Sequence, residues 1–249
     1  MRLALISDIH GNHTSLQAVL DDINREKVDQ IICLGDVATL GPQPREVLEC
    51  LMSFNCTCIM GNHDAFLLEP ALLHTYMDFP WFADVVDWTI AQLSAEQLDY
   101  VRSFKPSLKL PLCHGQNLLC FHGSPHSYFD LILATTPADK LDEMLGEERA
   151  TIMAGGHSHV QMVRQHRGVW LLNVGSVGMP FEEMPFVDSP RILPWAEYAI
   201  ITVENGRFRI DTRRIPVNAR AIKQAAYNSK LPHPHEWAEN WLVEWNPND

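Results

Sequence analysis

A chain of 249 residues with 46% hydrophobic side chains is long enough to bury one large α/β core, and nothing in it suggests general disorder. Its 19 basic residues face 31 acidic ones, a formal net charge of −12. That balance argues against tracking a nucleic-acid backbone, where affinity comes from Lys and Arg neutralising phosphates. A small phosphate substrate is not excluded, because bound divalent cations invert the local sign.

In chain order, residues 3–6 read as a strand, and 15–24 as a helix with apolar side chains at Leu16, Val19, Leu20 and Ile23. A second strand at 30–34, a helix at 44–54 opened by Pro44, and a third strand at 57–60 continue a βαβ rhythm. Three parallel strands predict a sheet covered on at least one face. Residues 66–105 break the rhythm and read as a helical insertion. Helices are expected at 84–93 and 95–104, the latter opened by a Ser94/Gln97 capping box. The aromatics Tyr76, Phe79, Trp81, Phe82 and Trp88 read first as insertion core and second as a wall for stacking on a base.

Strands follow at 108–113 and 117–121, joined by a hairpin at His114-Gly115-Gln116, and a helix runs from Thr136-Pro137 to 145. Further strands are expected at 151–154, 160–165, 169–172, 197–203 and 207–212, with Asn205-Gly206 turning the last hairpin. This half is expected to be mostly antiparallel. Past residue 215, a tail holding Pro232, Pro234 and Pro247 has helical potential at 219–227. The expected organisation is one domain, 1–215, with the insertion at 66–105 and a C-terminal extension, 216–249, packed on it.

The N-terminal apolar run meets a polar motif by residue 7, too soon for a signal peptide, and no stretch approaches the ~18 apolar residues of a spanning helix. Six cysteines (33, 50, 56, 58, 113, 120) contain no CxxC pair, so free thiols in a reducing cytoplasm are expected. Cys56-Thr57-Cys58 has no third ligand near it in sequence.

Short polar motifs end the apolar runs: Asp8-Ile9-His10, Gly35-Asp36, Gly61-Asn62-His63-Asp64, His122-Gly123 and Gly156-His157-Ser158-His159. They gather three carboxylates, one amide and five imidazoles, an inventory that suits two adjacent divalent cations better than one metal or a nucleophilic triad. Residues i and i+2 of an extended segment point the same way, so Asp8 and His10 should face one point beyond the sheet edge. Open α/β sheets bind ligands at the carboxyl ends of their strands. A carboxylate has two oxygens, which makes Asp36 the natural bridge if two metals share a ligand. Each motif alone has an ordinary reading as a turn, a cap or a surface histidine. Five of them at strand ends do not.

The ordered set D-x-H, G-D, G-N-H-D, H-G and G-H-x-H resembles the calcineurin-like metallophosphoesterase superfamily, over residues 1 to about 213. Gly41-Pro42 with Pro44, and Asn173 to Gly178, are similar to its compact bacterial phosphodiesterase branch. The Asp-Arg-Gly of the Ser/Thr protein phosphatase branch is missing after Gly35-Asp36, and Asp64 stands where that branch has Glu. The resemblance implies a four-layer αββα sandwich of two mixed β-sheets with flanking helices. It also implies one metal held by Asp8, His10, Asp36 and His159, and a second by Asp36, Asn62, His122 and His157. The two ions, Mn first and Fe, Zn or Ni as alternatives, would activate a bridging water for in-line attack on a phosphodiester.

His63 would then hydrogen-bond a phosphate oxygen or protonate the departing one. Asn12, His13, Asp64 and His126 are further candidates for substrate contact, with Asn12 also a helix cap and Asp64 also an orienter of His63. The expected partner is a small phosphate ester, with no polymeric nucleic acid and no membrane; an oligomer is compatible with the sequence. A dinucleoside polyphosphate hydrolase or a phosphomonoesterase would use the same metals, and a non-catalytic binding scaffold would keep the fold.

Overall fold

Leu3 and Leu5 point to one side of the first strand and Ala4 and Ile6 to the other, and all four are buried. A strand apolar on both faces belongs inside a sheet covered on both sides. In the computed structural model, which describes residues 1–76, 80–183 and 190–246, that is where it lies; Phe79 and Pro247 fall outside the described residues. The strands are β1 (Arg2–Ile6), β2 (Gln30–Cys33), β3 (Thr57–Cys58), β4 (Leu108–Pro111), β5 (Asn117–Cys120), β6 (Ile152–Gly155), β7 (Met162–His166), β8 (Val169–Asn173), β9 (Trp195–Glu204) and β10 (Arg207–Pro216). The helices are α1 (His13–Glu26), α2 (Pro44–Ser53), α3 (Asn62–Leu68), α4 (Leu73–Tyr76), α5 (Pro80–Gln92), α6 (Ala95–Arg102), α7 (Ala138–Leu145), α8 (Ala219–Asn228) and α9 (Pro234–Glu239).

Two five-stranded sheets form, ordered β10-β9-β1-β2-β3 and β4-β5-β6-β8-β7. β1, β2 and β3 are parallel, as expected, while β9 and β10 close the other edge antiparallel. The second sheet departs from the expected antiparallel pattern, because β5, β6 and β8 run parallel. The segment between β5 and β6 carries α7 and is long enough for a parallel crossover. β7 alternates between half-buried and exposed residues and takes the edge, whereas β6 is buried throughout and sits centrally.

Three apolar layers hold these sheets. Leu3, Leu5, Ile32, Leu118, Ile152 and Ile201 fill the space between them. Leu16, Val19, Leu48 and Leu51 of α1 and α2 cover the outer face of the first sheet, and Leu141 and Leu145 of α7 cover that of the second. The result is the αββα sandwich. Each fully buried leucine here is worth about 2–5 kcal/mol against truncation to Ala.

The capping box at Ser94 and Gln97 forms with α6. Asn205 and Gly206 both adopt positive φ in the β9–β10 turn. Two helices carry no expectation from sequence: α3 begins at Asn62, inside a polar motif, and α9 follows Pro234. Trp237 and Trp241 in and after α9 pack with Ile222 of α8, Val85 of α5 and Ile192, which seats the C-terminal segment on the insertion. No helix among the described residues is long and apolar enough to cross a membrane.

Candidate metal centre

Asp8 and His10 follow β1, Asp36 follows β2, Asn62 and His63 follow β3, His122 follows β5, and His157 and His159 follow β6. All of these strands are parallel within their sheets, so their carboxyl ends open on the same edge of the sandwich. The local backbone is not the extended one expected from the i, i+2 spacing. Asp8, His10, Asp36, His157 and His159 adopt positive φ of 53, 47, 57, 68 and 58°. A non-glycine residue there costs on the order of 1–3 kcal/mol, and such strain concentrates at functional sites. Tight left-handed turns, rather than strand alternation, aim these side chains at one another.

Their donor atoms fall into overlapping groups, each within 4.8 Å: Asp8, His10 and His159; His10, Asp36 and His63; Asp36, His122 and His157. Asp36 belongs to two of them. His10 Nε2 lies 3.0 Å from His159 Nε2, and His159 Nε2 lies 3.3 Å from Asp8 Oδ1. On the other side, His122 Nε2 lies 3.2 Å from Asp36 Oδ2 and 3.1 Å from Asn62 Oδ1. Donors about 2.1 Å from one ion stand about 3.0–3.4 Å apart, so these spacings fit shared cations.

The outward nitrogens are fixed as metal-ligating histidines require. His159 Nδ1 donates to the Met179 carbonyl at 2.7 Å, and His122 Nδ1 donates to the Leu34 carbonyl at 2.8 Å, leaving both Nε2 atoms to the cluster. The Asn62 side-chain amide nitrogen and His10 Nδ1 are buried without a protein partner among the described residues. The donor set, its spacing and its burial fit divalent metal ions.

The electrostatics point the same way. Burial would raise the Asp8 carboxyl, but the facing His159 and His122 imidazoles hold it down at about 2. Burial likewise opposes the ionised form of Asp36, and His122 and His63 draw it well below the usual carboxylate range. Burial, reinforced by neighbouring imidazoles, keeps His10 well below its ordinary value and His157 down at about 3. Neutral imidazoles beside ionised carboxylates are the forms that ligate metal. His122 alone goes up, to about 9, because the Asp36 and Asp8 charges outweigh its burial.

His63 is also buried, and burial pushes it down to about 4. Its Nδ1 lies 2.8 Å from Thr39 Oγ1. Thr39 was not among the residues expected from sequence. Its only signal there is a lone hydroxyl in the apolar run Val37 to Leu40, directly after Gly35-Asp36. Tyr76, read from sequence as insertion core or a stacking wall, also lies at the cluster. Its ring stacks on Phe129 (centroids 5.2 Å apart, interplanar angle 29°), touches Phe66, and lies 6.4 Å from the His157 ring. Burial, then the Asp36 and Asp8 charges, push its hydroxyl up to about 12.

The remaining candidates take other positions. Asn12 is fully buried and caps α1, its Oδ1 accepting from Ser15 N and its amide donating to the Gly178 carbonyl. Asp64 is fully buried, and its carboxylate accepts the backbone N–H groups of Asp36, Val37 and Gly61. Burial, then the Asp36 charge, push it up to about 7 against those three donors. Both side chains bond the backbone, and it is Thr39 rather than Asp64 that bonds His63. His13 begins α1 half-buried, and the exposed His126 lies beside Gly146 at the end of α7; neither joins the cluster.

The segment from Asn173 to Gly178 fastens the first and last motifs together. Ser176 Oγ donates to the Asp8 carbonyl at 2.7 Å, and the Asn173 amide donates to Ser158 Oγ at 2.9 Å and to the Gly156 carbonyl. Gly178 is needed for the approach, since a Cβ there would run into the Ile9 carbonyl.

Residues 1–205 match the calcineurin-like phosphoesterase superfamily domain. The chain is 26% identical over 241 residues to an uncharacterised protein of Methanocaldococcus jannaschii, covering 94% of each. It is 25% identical to a symmetrical bis(5'-nucleosyl)-tetraphosphatase of Hamiltonella defensa, over 77% of this chain and 75% of that one. A crystal structure of a metallophosphoesterase from Sphaerobacter thermophilus superposes with a TM-score of 0.73 at 24% identity, covering 96% of this chain and 100% of that one. The chain belongs to the calcineurin-like phosphoesterase superfamily.

Proposed function

We infer that this calcineurin-like phosphoesterase hydrolyses a small phosphodiester at a dinuclear centre. One ion would be held by Asp8, His10, Asp36 and His159, the other by Asp36, Asn62, His122 and His157. The observation that carries this reading is the position of Asp36 in two donor groups, with Oδ2 within 3.2 Å of His122 Nε2 and 3.9 Å of His10 Nε2. Bound divalent ions supply Lewis acidity at the phosphoryl oxygens and lower the pKa of the attacking water. Manganese is the first candidate, and mixed N/O ligation also suits Fe, Zn or Ni.

The chain's own groups do the rest. With Thr39 donating to Nδ1, neutral His63 carries its proton on Nε2 and presents it to a phosphoryl or departing oxygen. Asp64 and the segment from Asn173 to Gly178 hold the ligand-bearing loops in register. Diester preference is supported by the similarity to the phosphodiesterase branch. Among the described residues, Asp8, Asp36 and Asp64 pair only with histidines and backbone N–H groups, never with Lys or Arg. The bis(5'-nucleosyl)-tetraphosphatase relative supports a second reading, a dinucleoside polyphosphate substrate. All six cysteines are free thiols, which supports a reducing, cytoplasmic setting.

The test compares a generic aryl phosphodiester, its monoester and a dinucleoside tetraphosphate with Mn²⁺-loaded protein. Faster diester cleavage abolished by chelator supports the reading. Faster monoester or tetraphosphate cleavage replaces the substrate class. No cleavage of any, with metal bound, favours the non-catalytic scaffold.

A further inference from the structure

Tyr76 ends α4 in the helical insertion, yet its ring is held at the metal centre by residues from two other places. Phe66 of α3 lies 5.7 Å from it, and Phe129, on the loop after His122, stacks on it at 5.2 Å. Its edge of this aromatic group faces the His157 ring, 6.4 Å away. Tyr100 and Tyr198 spend their hydroxyls on the fold, Tyr100 donating to the Cys56 carbonyl at 2.8 Å and Tyr198 to Asp22 at 2.6 Å, whereas half-buried Tyr128, beside Phe129, makes no hydroxyl hydrogen bond among the described residues. Among the described residues the Tyr76 hydroxyl makes no hydrogen bond and is not buried away from solvent.

A bound phosphoryl group brings several acceptor oxygens into a cluster whose carboxylates have no Lys or Arg partner among the described residues. His63 offers one N–H, and the Thr39 hydroxyl is already engaged with it. The phenolic O–H is a neutral donor on a side chain that the surrounding rings hold in place.

We propose that Tyr76 is a substrate-contacting residue whose Oη donates a hydrogen bond to a non-bridging phosphoryl oxygen. The insertion is then part of the active site. This rests on the phosphoesterase reading of the centre and adds to it a phosphate-binding group outside the five motifs.

The decisive variant is Tyr76→Phe, which keeps the ring and its stacking. Three quantities are read on full-length, Mn²⁺-loaded protein: Mn content, the Kd for inorganic phosphate by calorimetry, and kcat/KM on an aryl phosphodiester. A hydrogen bond to a charged oxygen predicts phosphate binding and kcat/KM each weaker by about ten- to a hundred-fold, with Mn content and Tm unchanged. Phe129→Leu, which removes the stacking partner, is expected to weaken phosphate binding in the same direction. Wild-type phosphate affinity in Tyr76→Phe overturns the proposal. So does a parallel loss of Mn, which would make the hydroxyl structural. If the wild type binds phosphate but cleaves no ester, the phosphoesterase reading fails while the Kd comparison still decides Tyr76. If it binds no phosphate, both fail.

Discussion

The carboxylate of Asp64 receives the backbone N–H of Asp36 at 2.8 Å, so the residue proposed to bridge two metals is positioned by an acid 28 places along the chain. The same carboxylate takes Val37 N at 2.9 Å and Gly61 N at 3.0 Å, tying the loops after β2 and β3 together. Asp64→Asn keeps the volume but turns an NH₂ donor toward one of these N–H groups. It should cost about 1–3 kcal/mol of stability and weaken metal binding about ten- to a hundred-fold. Thermal melts and metal titration check both, and unchanged metal affinity would remove Asp64 from the positioning of Asp36.

Asp36 itself should be the ligand whose loss is felt by both ions. Asp36→Asn is expected to lower bound Mn from two per chain to at most one and to remove most activity. His122→Ala should leave the ion at Asp8, His10 and His159. Elemental analysis after desalting separates the cases; full loading of Asp36→Asn would refute the bridge.

Thr39→Val removes a hydroxyl of nearly the same shape as the methyl that replaces it. His63 then loses the partner of its Nδ1, and kcat should fall about tenfold with Mn content and KM little changed. Thr39→Ser should restore most of the loss, which a packing role would not. His63→Ala should bind metal normally and turn over slowly. Unchanged turnover in that variant would sink its role.

Chelation has a stability readout independent of activity. Ions that bind only the folded chain stabilise it, by about 2.7 kcal/mol at a hundredfold excess over Kd. The Tm should therefore rise with added Mn²⁺ and fall with EDTA. In Asp8→Ala the rise should be smaller. Identical melts with and without metal in the wild type would argue against bound ions.

A pH effect is also expected at Glu197. Burial pushes its carboxyl up to about 6 from an ordinary 4.5, against the pull of Trp195 and Arg214, and its second oxygen is buried without a partner among the described residues. A raised folded-state pKa contributes stability that is fully present below pH 4.5 and is lost as pH rises through about 6. This group should cost about 2 kcal/mol across that window. Urea melts of wild type and Glu197→Gln should diverge there, with the variant flatter; parallel curves would contradict the assignment.

The five motifs were legible because each joins a metal-type donor to the end of an apolar run, a pattern that local sequence carries whole. The parallel strands β1 to β3 were legible from the helices between them. β5, β6 and β8 were not, since their pairing depends on which strand takes the sheet edge, and that is settled by burial across the whole second sheet. Asn62 and His63 read as loop residues, whereas they form the first turn of α3, where the Asp64 side chain closes the cap. Thr39 escaped, and Tyr76 was read only as insertion core or a stacking wall, because their chemistry comes from what approaches them. Thr39 meets His63 across 24 positions, and Tyr76 meets Phe129 across an insertion boundary.

His10 and His159 stand 149 positions apart, with their Nε2 atoms 3.0 Å from each other. One belongs to the first sheet's edge and the other to the second's, so the donor group of Asp8, His10 and His159 draws on both halves of the chain. The order of assembly follows. Both sheets must form and dock before the centre exists, and long-range contacts of this kind are made late and slowly. A metal held by His10 and His159 together would therefore bind only after the two sheets have docked.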